Sequence, residues 1–172
     1  WDYDNTWGNV DWVKEYFRES APTQEHNLSL SGGANQWTYY LSGNYMDQQG
    51  LLRHGKDTYK RYATSGRISG KLFDNLRIEY MNRFVRTNYG RPTSMPDDFY
   101  DHVLRRARPN RAKYDPNGFL MADINYISAF EDGGRRNDEQ DFNTQQFQAI
   151  YNPIKDLEIT GELNYRTETQ FI

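Results

Sequence analysis

The sequence has 172 residues and a net charge of −3; 36% of residues are hydrophobic and 16% aromatic, with Tyr alone filling 14 positions. A disordered chain would be poor in aromatics, a packed soluble core would be richer in aliphatics, and the charge makes no case for nucleic acid. There is no cysteine, which excludes a disulfide framework and a thiolate metal site.

The chain opens at Trp1-Asp2-Tyr3 with no initiator Met and no charged-then-apolar leader, and is expected to be mature, trimmed, or only the ordered part of something longer. No run approaches the roughly 20 apolar residues of a transmembrane helix. Strands of a membrane barrel remain open to it, since each carries only an alternating signal of about 10 residues. Residues 10–18, closed by Ser20-Ala21-Pro22, are expected to form a short helix with Trp12, Tyr16 and Phe17 on its buried side. A weak strand follows at residues 27–31, carrying Leu28 and Leu30, and Gly32-Gly33-Ala34-Asn35 reads as a tight turn.

From residue 37 to 45 one parity reads Trp, Tyr, Leu, Gly, Tyr and the other Thr, Tyr, Ser, Asn. A medium loop at 47–59 leads to a cleaner repeat. There Tyr62, Thr64, Gly66, Ile68, Gly70 and Leu72 alternate with Ala63, Ser65, Arg67, Ser69 and Lys71. Across the turn Asp74-Asn75, Leu76, Ile78, Tyr80 and Phe84 alternate with Arg77, Glu79, Met81 and Arg83. Residues 88–140 form a loop of about 50 residues, too long for a compact soluble domain. Within it Pro96, the acids Asp97 and Asp98, and a basic end at Arg105, Arg106 and Arg108 predict a helix from about 96 to 107. Its apolar side is Phe99, Val103, Leu104 and Ala107, and it should pack over the mouth of a barrel. A strand at 142–151 and the turn 152–156 bring the chain to residues 157–166, where Leu157, Ile159, Gly161, Leu163 and Tyr165 alternate with Glu158, Thr160, Glu162, Asn164 and Arg166.

Alternation alone fits a soluble antiparallel sandwich equally well. Three features favour a barrel in a membrane. Charged and amide groups run along nearly the whole polar parity. The apolar parity is rich in Tyr and Trp, as an interfacial girdle requires, and in Gly43, Gly66, Gly70 and Gly161, which mark bends or close approach. Short links alternate with long ones, matching periplasmic turns on one rim and extracellular loops on the other. The fold expected is all-β: an antiparallel transmembrane β-barrel segment with long extracellular loops carrying short helices. Residues 1–25 and 88–140 are the extracellular loops, and the strand at 27–31 runs down toward the periplasm.

Several short motifs occur in order: Val10-Asp11-Trp12-Val13-Lys14-Glu15-Tyr16-Phe17, Ala21-Pro22-Thr23-Gln24-Glu25-His26-Asn27-Leu28-Ser29-Leu30-Ser31-Gly32-Gly33, Thr38-Tyr39-Tyr40-Leu41-Ser42-Gly43-Asn44-Tyr45-Met46-Asp47-Gln48-Gln49-Gly50, and Tyr59-Lys60-Arg61-Tyr62. Together they resemble the SusC/RagA family of TonB-linked outer-membrane transporters of Bacteroidetes, strongly over residues 10–88, weakly through the long loop and fairly over 141–170. The resemblance implies about six strands, the second to the seventh, of a 22-stranded barrel filled by an N-terminal plug that is absent here. It implies location in the outer membrane of a Gram-negative bacterium, in contact with lipid and lipopolysaccharide. It also implies coupling to TonB through the missing plug, and import of oligosaccharides or peptides beneath a SusD-like surface lipoprotein. The alternative is a soluble all-β carbohydrate-binding module.

No catalytic constellation is found, so an enzyme is not expected, nor is a cofactor. His26, His54 and His102 are dispersed. Asp98 and His102 have metal-ligand spacing without a third ligand, and Asp115-Pro116-Asn117-Gly118 reads as a plain turn rather than a calcium loop. Arg67, Lys71, Glu79, Arg83, Glu158 and Glu162 are the candidate lumen-facing residues. Arg105, Arg106, Arg108, Arg111 and Lys113 form a basic run with no intervening acid, a candidate contact for anionic substrate, lipopolysaccharide or acids of the lid protein.

Overall fold

The computed structural model describes residues 7–95, 99–121 and 126–172, with the side chains of Leu104 and Arg106 outside that description. Six strands form one sheet in sequence order, an antiparallel meander. They are β1 (Thr23–Ala34), β2 (Trp37–Gln49), β3 (Thr58–Phe73), β4 (Leu76–Pro92), β5 (Arg135–Ile154) and β6 (Leu157–Phe171).

Three links are two-residue hairpin turns: Asn35-Gln36, Asp74-Asn75 and Lys155-Asp156. Asn35 and Asp156 take positive φ (54° and 66°), the backbone such turns demand and Asn or Asp tolerate. The turns read from the sequence at 32–35 and 152–156 are therefore shorter, because the strands run into them.

All six expected strands form, and at their far ends they are longer than expected. β1 spans twelve residues rather than five, and β5 twenty rather than ten. The added stretches, such as Arg135-Arg136-Asn137-Asp138-Glu139-Gln140, are polar on both parities, so no apolar rhythm marks them. Backbone ladders extend regardless of which face is greasy. In register with β6, Glu139 faces Phe171 and Asp141 faces Thr169.

The chain divides into two compact units. The sheet unit comprises Gln24–Asp47, Lys60–Asn88 and Asp138–Ile172, and the loop unit comprises Trp1–Thr23, Gln48–Tyr59 and Tyr89–Asn137. Every buried hydrophobic side chain among the described residues belongs to the loop unit: Trp12, Tyr16, Leu52, Phe99, Val103, Ile127 and Phe130.

Three short helices supply most of that core. Helix α1 (Trp12–Tyr16) begins at Asp11, whose carboxylate caps it by accepting from the Lys14 amide at 3.2 Å. It is half the length expected for 10–18, because Phe17 turns extended and bridges to Leu52. Trp12 and Tyr16 are buried and Phe17 packs on the core, as its apolar spacing foretold. Helix α2 (Phe99–Asp101) continues as a π-helical turn, His102–Arg106, closed by the Ala107 amide donating to the His102 carbonyl at 2.9 Å. This is the helix expected at 96–107. Its start at 96–98 lies outside the described residues, and the wider turn holds both Phe99 and Val103 in the core. Helix α3 (Ile127–Glu131) was not expected, being too short to show a helical period.

Glycines on the apolar face of the sheet make room for neighbouring rings. A Cβ at Gly70 would overlap the Trp37 indole, and one at Gly32 would overlap the Tyr39 ring, so large side chains lie across the sheet instead of standing off it. Gly55, at φ 77°, serves differently: a Cβ there would strike Pro92 and Phe130.

Candidate functional site

The pleat separates the sheet unit into two faces. On the apolar face Leu28, Ile159 and Leu163 are 80%, 53% and 68% exposed, values that rule out burial against a second layer within the described residues. Aromatic rings cluster toward one end of that face. His26 stacks on Tyr45 at 6.4 Å, and Tyr45 meets Tyr62 at 5.1 Å. Further along β4 and β5 the same parity turns polar. Asn82 donates to Asn143 at 2.9 Å, and Arg86 forks onto Asp141 at 2.7 and 2.6 Å.

The polar face is laced by cross-strand pairs. Asn44 donates to Glu25 and Asn27 at 2.7 and 2.5 Å, and Arg61 pairs with Glu25 at 3.2 Å. Ser42 and Ser65 share a hydrogen bond of 2.7 Å, and Thr38 and Ser69 one of 2.8 Å. Such pairs fix strand register while leaving the face wet.

The loop unit holds a charged constellation beside its aromatic core. His54 is only 13% exposed and lies between two carboxylates, with Nδ1 2.5 Å from Glu131 and Nε2 3.5 Å from Glu15. Lys113 completes it by donating to Glu15. Burial opposes ionisation of Glu15, yet the hydrogen bonds and charges of Lys113 and His54 outweigh it and hold the carboxyl below its ordinary value of 4.5. The Lys113 ammonium is likewise desolvated but kept protonated by Glu15 and Tyr114, which raise its pKa. Burial pushes the Tyr16 phenol up to about 12, while the amide of Tyr126, donating to its oxygen at 2.8 Å, works the other way.

A depressed carboxyl pKa stabilises the folded state fully above the unfolded value and loses that contribution as pH falls through the folded one. Proteolysis of the loop unit is therefore expected to accelerate on acidification below 4.5, the ordinary Glu15 value. A Glu15→Gln variant should show a weaker acid dependence in that window; an identical profile would exclude the pair as its source.

No family model matches the chain. Over 79 residues it is 27% identical to the TonB-dependent receptor SusC of Bacteroides thetaiotaomicron, a match that covers 43% of this chain and 8% of SusC. Its fold matches a chain of the RagAB peptide importer, solved in the "closed-closed" state, with a TM-score of 0.72 at 23% identity over 94% of this chain. The fold of this chain is that of the matched part of the RagAB chain, and part of its sequence is similar to SusC. The chain spans 19% of the RagAB chain it matches.

Within this fold, the residues singled out from the sequence fall into distinct settings. Arg67 and Glu79 are paired at 2.7 Å across β3 and β4. Glu162 accepts from Gln146 at 3.1 Å and Asn164 at 2.5 Å, while Lys71 and Glu158 are exposed. Arg83 lines a cleft described below. Of the basic run, Arg105 pairs with Asp101 at 3.0 Å and Lys113 with Glu15, whereas Arg108 and Arg111 are exposed. The side chain of Arg106 lies outside the description, as does Asp98; His102 packs edge-on against Tyr126 at 4.6 Å. At Asp115 the carboxylate accepts from the amides of Asn117 and Phe119, both at 2.9 Å, and Gly118 has φ 86°, a plain turn. The grouping of Glu15, His54 and Glu131 was missed, since single positions on α1, on the link between β2 and β3 and on α3 carry no spacing signal.

Proposed function

We propose that the chain is part of the barrel wall of a TonB-dependent transporter in the outer membrane of a Gram-negative bacterium. The whole protein imports oligosaccharides or peptides together with a SusD-like surface lipoprotein. One observation carries this reading: a RagAB-like sheet with one largely apolar parity whose large side chains, among them Leu28, Ile68, Ile159 and Leu163, stay exposed. Water tolerates such a surface poorly, whereas hydrocarbon accommodates it. The apolar face then meets lipid and the polar face lines the lumen. A soluble carbohydrate-binding module would bury one of the two faces, and all the buried hydrophobic side chains described lie in the loop unit instead.

On this reading the two-residue turns face the periplasm, and residues 1–25 and 88–140 belong to extracellular loops. Arg67, Lys71, Glu79, Arg83, Glu158 and Glu162 face the lumen. Arg108 and Arg111 are better placed than Arg105 and Lys113 to meet acids of the lid lipoprotein, because the latter two are engaged within the chain. The polar turn of the apolar face at Asn82, Arg86, Asp141 and Asn143 marks where the hydrocarbon belt ends.

These 172 residues hold no cysteine, so single cysteines placed in them report on this sheet once any elsewhere in the protein are replaced. In the intact protein in membranes, cysteines at positions 158, 160, 162 and 164 should react quickly with a water-soluble maleimide. Those at 159, 161 and 163 should react slowly. Uniform labelling along β6 would sink the lipid-facing orientation.

A further inference from the structure

On the polar face of the sheet unit, Arg83 and Val85 of β4, Phe142 and Thr144 of β5, and Arg166 of β6 line a cleft of about 290 Å³. Two arginines of β3 on this face are neutralised: Arg61 by Glu25 and Arg67 by Glu79. Among the described residues neither Arg83 nor Arg166 has an acid partner. The acid nearest in sequence on the same face, Glu168, is engaged instead by the Gln140 amide at 2.6 Å. Arg166 lies over the Phe142 ring at 5.3 Å, and Thr144 is its partner in the β5–β6 register. A ring face positions a guanidinium without cancelling its charge.

Two unneutralised guanidiniums on one cleft repel each other and gain nothing for the fold from the arrangement. What the pair suits is an incoming anion, and a guanidinium fork matches a carboxylate in shape and charge. On this face of β6 Arg166 is the basic residue, with Glu158 and Glu162 toward the Lys155-Asp156 turn and Glu168, already engaged by Gln140, on its other side. We propose that Arg83 and Arg166, with Phe142 and Thr144 between them, form a binding site for a carboxylate group of the imported cargo. This rests on the transporter reading above, which makes the polar face the lumen.

The test uses the intact wild-type transporter in detergent and calorimetric titration with four probes. These are oligoglutamate and oligogalacturonate, each set against its uncharged counterpart, oligoglutamine or methyl-esterified oligogalacturonate. Wild type should bind at least one acidic probe more tightly than its neutral counterpart. Preference for the peptide or for the uronate identifies the source of the carboxylate. Arg83→Gln and Arg166→Gln should each weaken acidic binding by roughly 10- to 100-fold, and the double variant should erase the preference. Equal binding of acidic and neutral probes by wild type would overturn the site, as would a preference that survives in the double variant. It is overturned equally if the variants lower thermal stability but leave probe binding unchanged, because the arginines would then serve a carboxylate of the transporter itself. TonB-dependent uptake by wild-type cells is measured in parallel: no uptake of any cargo would sink the transporter reading, whereas uptake without charge preference sinks only the carboxylate site.

Discussion

An arginine placed at Leu163 is expected to destabilise the folded protein in a bilayer by roughly 2–4 kcal/mol, while an arginine at the adjacent Asn164 should change it little. Leu163 pairs with Phe147 in the β5–β6 register and stands six residues above the hairpin turn, 68% exposed on the apolar face. At about 3.3 Å per residue and a tilt near 40°, that height approaches the middle of the hydrocarbon, where a charge is worst placed. Asn164 points to the other face and makes a hydrogen bond to Glu162. The check is the urea dependence of folding into lipid vesicles for the intact protein carrying either change. Equal costs at the two positions would mean that the faces do not differ in solvent, and the membrane orientation would fall with that result.

The second large effect is expected in the loop unit. Tyr16 is fully buried, with Phe99 at 5.3 Å, Trp12 at 5.9 Å and Phe130 at 6.4 Å from its ring. Truncation to alanine removes a large aromatic side chain from a closed core and should cost the unit about 3–5 kcal/mol. The loss also strands the Tyr126 amide, which donates to the phenol oxygen at 2.8 Å. Tyr16→Phe keeps the ring and loses only that bond, for about 1 kcal/mol. Hydrogen exchange of the intact protein should show the amides of 99–103 and 127–130 opening in the alanine variant while strand amides of β3 and β6 stay protected. If the two variants exchange alike, the ring is not what holds this core.

Strands were legible in the sequence where the two faces differ chemically. Leu157 to Tyr165 is the clear case, since every odd residue there is apolar or Gly and every even one polar. Where both parities are polar, as over residues 135–141, the ladder continues with nothing in composition to announce it. Helix α1 could be read because Trp12, Tyr16 and Phe17 are aromatics at helical spacing ahead of the Ser20-Ala21-Pro22 stop. Helix α3 offers neither a cap hydrogen bond nor the length for a period. Of the site, Arg67 and Glu79 were visible as separate charges, but their pairing depends on register, which local pattern does not encode. Arg166 was read only as one member of a polar row. Its significance emerges when β4, β5 and β6 lie side by side and most nearby charges turn out to have partners.

The loop unit's ties join positions far apart along the chain. Trp12 donates to the Arg108 carbonyl across 96 residues, Lys113 reaches Glu15 across 98, and Tyr126 reaches Tyr16 across 110. Closing loops of that size is entropically unfavourable until the intervening hairpins have already drawn the ends together. Assembly of this aromatic knot must therefore come after strand pairing, and no single hairpin cut from the chain could tie it, because the knot's residues lie in three separate segments outside the strands.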